Sequence, residues 1–332
     1  MREPRGRNGE KALDPLVPFV YSYWTVHASN DRPTVGLIGL GNMGTAIAER
    51  LLEAGYPLRV NNRTPEKAEA LGALGAEVAT TPEELVQQVD VVLTSLANDA
   101  AFEDVTGRVI AAARPGTVLV DMSTVSPDAS ARIASLADMA SVRYLRAPVS
   151  GNPSVVRAGN LSFIVSGADD DIDRVEPVIR AIGPTVHRVG DGEQARIVKL
   201  AINLMIAGLA QLMSEALVLG EAADVPRAAL LEVMGSSAVG APFVKYKTEP
   251  LVRDDFSATF TTALMEKDID LALAAADEAG VELPLTREMK SHLHAAIEAG
   301  YADDDFIVLF QHLRNASGLS KRSERHDQEV VR

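Results

Sequence analysis

TVGLIGLGNMGTAIAERLLEAG, residues 34 to 55, sets three spaced glycines between two apolar patterns of different period. A short apolar run comes first. Behind the glycines, apolar residues recur at helical spacing until Gly55. That order reads as a buried strand, a tight turn and an amphipathic helix closed by a glycine. Within it, Gly39-Leu40-Gly41-Asn42-Met43-Gly44 fits G-x-G-x-x-G. The string alone is weak, but after a strand and at the opening of a helix it marks a dinucleotide-binding turn. The first glycine permits the bend, the second lets a pyrophosphate approach the backbone, and the third lets helix and strand pack closely. The helix start then offers free N–H groups and partial positive charge to phosphates.

The same alternation continues. LRVNN (58–62), DVVLTSL (90–96), TVLVDMS (117–123), VRYLRAPVSG (142–151), LSFIVSG (161–167) and PTVHRVG (184–190) read as strands. Thr64-Pro65, Thr81-Pro82 and Ser126-Pro127 are cap-plus-proline helix starts, and DDIDRVEPVIRAIG (170–183) is a further helix. Strands alternating with helices imply a parallel sheet with right-handed crossovers. At Gly190 the pattern changes. GDGEQARIVKLAINLMIAGLAQLMSEALVLGEAAD (190–224) has the composition of one long helix, apolar over most of its circumference. Further helices are expected at 226–234, 261–279, 284–299 and 303–317, with no further strand. The fold class is therefore α/β: a doubly wound Rossmann sheet over 33–190, then an all-α domain over 191–318, joined by a helix at 191–223. Residues 1–32 read as a poorly ordered extension and 319–332 as a polar tail.

Composition narrows the function. The chain has 332 residues, a net charge of −14, 47% hydrophobic residues and no cysteine. The acidity disfavours nucleic acid and anionic membrane as partners, though it leaves room for a local basic pocket. Without cysteine there is no disulfide, thiolate zinc site or thiol nucleophile, which fits a cytoplasmic protein. The six histidines show no metal-ligand spacing; His292 and His294 face different sides of a helix and read as solvated. No segment reads as a membrane span: the uncharged run Leu200–Ser214 is short and contains Asn203 and Gln211.

The end of the second strand bears on the cofactor. NAD sites place an Asp or Glu there for the ribose hydroxyls. Here the residues are Asn61-Asn62-Arg63-Thr64. Arg63 can pair with a 2′-phosphate and Thr64 can donate to it, whereas a carboxylate repels it, so NADP(H) is expected over NAD(H). The plainer alternative is a solvated arginine. Leu96, closing the 90–96 strand, completes the cofactor set with residues 39–44, Asn62, Arg63 and Thr64.

On the long helix, Lys199 and Asn203 lie one turn apart on one face. A Lys and an Asn among apolar residues need partners or a function. The strand ends Asp121-Met122-Ser123-Thr124 and Ala147-Pro148-Val149-Ser150-Gly151 belong at the carboxyl edge of the sheet, where ligands bind in open α/β folds. Ser-Gly there suits a small carboxylate. Taken singly, Ser123 and Ser150 are commonly turn residues or caps.

Together these pieces resemble the β-hydroxyacid dehydrogenase family. Its recurring features appear in order as GLGNMG (39–44), NRT (62–64), DMST (121–124), APVSG (147–151), GDGEQARIVKLAIN (190–203) and EKDIDLAL (266–273), spanning about Thr34 to Gln311. The resemblance implies a small carboxylate-bearing hydroxy acid or semialdehyde as substrate and Lys199 as general acid and base. It implies that Asn203 orients Lys199 or binds substrate, and that Ser123, Ser150 and Gly151 hold the carboxylate. Thr124 and Lys267 would contact the cofactor. It also implies a homodimer or homotetramer; from the histidine spacing, no metal is expected. The chain departs from the family at Arg146, where Asp is usual, and at Asn152, where a second Gly is usual. Asn152 thereby places a side chain in the substrate region. Arg146 reads as reversing a local charge or facing solvent.

Three alternatives remain. Imine reductases resemble this family but usually carry Asp or Tyr in place of Lys199. 6-Phosphogluconate dehydrogenase has a helical domain much longer than the roughly 130 residues available here. A non-catalytic binding protein could retain the fold, with Lys199 merely snorkelling.

Overall fold

Short Val/Leu-rich runs build the sheet. In the computed structural model, which describes residues 32–319, β1 (Val35–Ile38), β2 (Leu58–Asn61), β3 (Glu77–Val78), β4 (Val91–Thr94), β5 (Val118–Asp121) and β6 (Arg143–Arg146) are parallel, in the order β3-β2-β1-β4-β5-β6. Between them run α1 (Asn42–Glu53), α2 (Pro65–Gly72), α3 (Pro82–Val86), α4 (Asp99–Ala112) and α5 (Pro127–Met139). β1, β4 and β5 are buried throughout, as continuous apolar strands covered on both faces require. One apolar cluster, with Leu37, Ile47, Leu51 and Phe163, fills one face of the sheet; a second, with Phe102, Leu119 and Ile133, fills the other. The expectations for the N-terminal extension and the polar tail fall outside the described residues, apart from the ends they share with them.

The all-parallel expectation ends at β6. β7 (Val149–Ser150), α6 (Pro153–Arg157), β8 (Ser162–Ser166), α7 (Asp169–Ile182) and β9 (Thr185–Gly190) complete the sheet. β8 is antiparallel to both β6 and β7, and parallel to β9. The chain after β6 is spent on β7 and the five-residue α6, so it turns back where a parallel return needs a full crossover.

α8 (Gln194–Ala222) leaves the sheet and packs against β8 and β9 at one end. It also packs against α9 (Arg227–Ser236), α11 (Thr262–Glu278), α12 (Pro284–Ala296) and α13 (Leu309–Ala316); α10 (Pro242–Arg253) completes the helical part. α10 was not expected from the sequence, because Pro250 interrupts its pattern; the helix accommodates it in the last turn and closes on Asp254 at φ 52°. The helix expected at 303–317 begins instead as a tight turn at Phe306–Val308 before α13. Ala207, Ala210, Met213 and Leu217 of α8 join Ile269, Leu293 and Phe310 in a third core. By length and composition α8 qualifies as a membrane span, with mean hydropathy 1.7, which the sequence reading denied it. Here one side of it is core. The described residues from Pro33 onward belong to one compact unit.

Candidate active site

The strand ends are level. Asn61, Ile38, Thr94, Asp121 and Arg146 are successive partners in register, so the loops that follow them open on one edge. This is the carboxyl edge that binds ligands in such sheets.

The glycine turn is shaped for close approach. Gly39 adopts φ +95°, and a Cβ there would lie 2.3 Å from the Ser95 carbonyl oxygen; one on Gly44 would lie 1.9 Å from that of Gly39. Gly41 has nothing within 4 Å of its Cβ position, so space opens in front of the turn. α1 starts at Asn42 with no side chain capping it, which leaves its first N–H groups for a ligand. These features fit a pyrophosphate. Leu40 and Met43 belong to this turn. Asn62 is committed to it: its Oδ1 accepts from Leu40 N–H at 2.8 Å and its amide donates to the Thr64 carbonyl at 3.0 Å. Arg63 and Thr64 are exposed, and the Thr64 hydroxyl makes no cap bond on α2. Lys67 was passed over in the sequence. It is exposed four residues beyond Arg63 and lines a cleft with Leu40, Asn42, Asn152 and Thr259; a second cation one helical turn on was the available signal.

Lys199 lies half-buried on α8. Burial lowers its ammonium below the ordinary lysine range; Asp268 opposes this and Lys267 adds to it. Asp268 on α11, 1% exposed, accepts from the Asn203 amide and pairs with Lys267 Nζ at 2.8 Å. Lys267 Nζ also donates to the Thr124 carbonyl at 2.7 Å, tying α11 to the loop after β5. Lys199, Asn203, Lys267 and Thr124 are thus gathered around a carboxylate the sequence reading did not single out.

Ser123 takes a different task from the one expected. It is 3% exposed; its hydroxyl donates to Asp121 Oδ1 at 2.7 Å and accepts from Leu96 N–H at 2.8 Å. The single hydroxyl proton is spent, so none remains for a substrate carboxylate. Asp121 is fully buried and also accepts from Thr94 and from Arg196 Nη2, the latter at 2.6 Å. Arg196, 1% exposed on the apolar α8, was not singled out either.

Ser150 keeps its hydroxyl free of hydrogen bonds within the described residues, on the short β7 beside Ser162. Gly151 adopts φ +144°, a conformation that favours glycine, and a Cβ there would press on the Leu161 and Val155 side chains at 2.9 and 3.0 Å. Asn152 caps a helix: its Oδ1 accepts from Val155 N–H at 3.1 Å and Ser154 Oγ at 2.6 Å, starting α6, and the residue also lines the cleft beside Leu40 and Asn42. Arg146 does not face solvent. It is 8% exposed, its Nε donates to Glu193 Oε1 at 2.8 Å, and its guanidinium sits 4.6 Å from the centre of the Tyr144 ring. Glu193 at the start of α8 answers the reversed charge. Among the described residues no His, Asp and Glu group is placed to hold a metal ion.

Comparison with known proteins matches residues 34–190 to the NAD-binding domain of 6-phosphogluconate dehydrogenase and residues 193–313 to the NAD-binding region of NADP-dependent 3-hydroxyisobutyrate dehydrogenase. A 2-(hydroxymethyl)glutarate dehydrogenase of Eubacterium barkeri is 30% identical over 86% of this chain and 96% of its own. The structure of the Mycobacterium tuberculosis 3-hydroxyisobutyrate dehydrogenase with L-serine superposes with a TM-score of 0.78 at 30% identity, over 86% of this chain and all of that one. An imine reductase from Pseudomonas sp. reaches 0.55 at 25% identity, over 85% and all of the two chains.

Proposed function

The chain belongs to the β-hydroxyacid dehydrogenase family of nicotinamide-dependent oxidoreductases acting on CH–OH groups, and we propose that it interconverts a small β-hydroxy acid and its semialdehyde or keto acid with NADP(H). The observation that carries this reading is Lys199 on α8, one turn from Asn203, whose amide Asp268 holds, with burial lowering the Lys199 ammonium. Residues 39–44 hold the pyrophosphate at the start of α1. Arg63, Thr64 and Lys67 receive the 2′-phosphate, and Asn62 braces the turn between them. NADPH, held there, would supply the hydride for the carbonyl carbon. Lys199 gives a proton to the carbonyl oxygen in reduction and takes it from the hydroxyl in oxidation. Asn203, held by Asp268, orients Lys199. Ser150 and the backbone at Gly151 hold the substrate carboxylate. Ser123 braces the Leu96 amide, and Lys267 fixes the Thr124 carbonyl beside the cofactor. NADPH consumption with small carbonyl acids, set against a cyclic imine, tests the reading. Reduction of C=N is the second reading; it rests on the likeness to an imine reductase, and a protonating lysine at position 199 speaks for C=O.

We also propose a homodimer or homotetramer. Met205, Leu212 and Leu219 recur every seven residues along α8 and are 71%, 57% and 72% exposed, an apolar stripe suited to a second copy. Light scattering at micromolar protein is expected to give at least a dimer; a monomer contradicts this.

A further inference from the structure

Three polar tethers hold the first turn of α8 to the sheet. Ser166 Oγ of β8 donates to the Gly192 carbonyl at 2.6 Å and accepts from Ala195 N–H at 3.3 Å. Glu193 holds Arg146 at the end of β6. The third tether, Arg196, reaches furthest. Its Nη2 donates to Asp121 Oδ2 at 2.6 Å and to the Tyr144 hydroxyl at 2.8 Å, its Nη1 to the Ser123 carbonyl at 2.7 Å, and its Nε to Ser130 Oγ at 3.2 Å. One guanidinium therefore touches β5, β6, α5 and the loop after β5. The Tyr144 hydroxyl, kept protonated by burial, is bonded on its other side to Ser130 at 3.0 Å.

A buried ion pair is a poor way to gain stability, because apolar side chains of the same volume do as well. What a rigid guanidinium fork supplies is direction. We propose that Arg196 is a positioning residue: it fixes the rotation and height of α8, and so the place of Lys199, against residues 121–124. Lys199 follows three residues later, about 4.5 Å along the axis and nearly a full turn round. The same four residues hold Lys267 through the Thr124 carbonyl. Both lysines of the cluster, on α8 and on α11, are thus referenced to one loop. The inference rests on the reading of Lys199 as acid and base. The charged groups acting on Lys199 are Asp268 and Lys267 of α11, and neither touches Arg196.

The test compares wild type, R196K, R196M and K199A as full-length protein. The first readout needs no substrate: the rate at which acetic anhydride modifies Lys199 as a function of pH, mapped by mass spectrometry. Its midpoint is expected below the ordinary lysine range in wild type. It is expected to rise in R196K and further in R196M, as α8 shifts and the amine gains water. With a turned-over substrate, kcat is expected to fall about tenfold in R196K and about a hundredfold in R196M, with NADPH affinity within about threefold. The rising limb of the oxidation profile is expected to move to higher pH with the labelling midpoint. If R196M fails to fold, R196K decides alone. An unmoved Lys199 midpoint in a folded Arg196 variant overturns the proposal, since a purely structural arginine lowers Tm without moving it. Full turnover in K199A overturns the functional reading instead, and the labelling result then stands by itself.

Discussion

Lys199→Ala is expected to lower kcat about a thousandfold in both directions, roughly 4 kcal/mol of barrier, with NADPH affinity and fold retained. The residue is half-buried and the alanine leaves Asp268 with its Asn203 and Lys267 partners, so the cluster keeps its internal pairing. Lys199→Arg is expected to be as inactive, because it keeps the positive charge and cannot release a proton. The pH dependence has a defined sign. Oxidation needs the neutral amine as base, so its rate rises with pH and levels off above the Lys199 pKa. Reduction needs the ammonium as acid, so its rate falls through the same pKa. Burial sets that pKa below the ordinary lysine value in the free protein, so both limbs are expected below the usual lysine range. A bound carboxylate and phosphates move it upward. Steady-state profiles of kcat/KM in each direction measure this, and the limb is expected to vanish in K199A.

Arg63→Asp is expected to cut kcat/KM for NADPH about a hundredfold and raise that for NADH about tenfold, the first corresponding to ~3 kcal/mol. Two effects add. The guanidinium that pairs with the 2′-phosphate is lost, and the new carboxylate repels the phosphate while accepting from the ribose hydroxyls of NADH. Arg63 is exposed and has no ion pair among the described residues, so Tm is expected to change little. Equal use of NADH and NADPH by wild type defeats the assignment. Lys67 remains in the variant and moderates the loss, so R63D/K67A is expected to lose more than R63D alone.

Signals carried by near neighbours were legible in the sequence. The Gly39 bend and the tight Gly44 packing follow from spacing alone. Thr81 and Ser126 cap their helices through Glu84 and Ala129 N–H, as their pairing with proline announced. Family membership also followed from the ordered motifs. Long-range polar partnerships were not legible. Asp268 sits 65 residues from Asn203, in the motif at 266–273 that pointed only to Lys267, and no spacing in the sequence shows that the two side chains meet. Arg196 looked incidental on an apolar helix because Asp121, 75 residues away, is visible only once β5 and α8 meet. The two departures from the family pattern have local explanations of the same kind. Arg146 is answered by Glu193, and Asn152 starts a helix too short to announce itself by periodicity. The antiparallel β8 was hidden because strand direction depends on what the connecting chain does, not on the composition of the strand.

The most direct measurement follows NADPH consumption by wild type and K199A side by side with glyoxylate, succinic semialdehyde, methylmalonate semialdehyde and a cyclic imine. The account predicts that wild type reduces at least one of the three carbonyl acids, leaves the imine untouched, and loses the carbonyl activity in K199A. Turnover of the imine alone, or carbonyl turnover that survives in K199A, contradicts it.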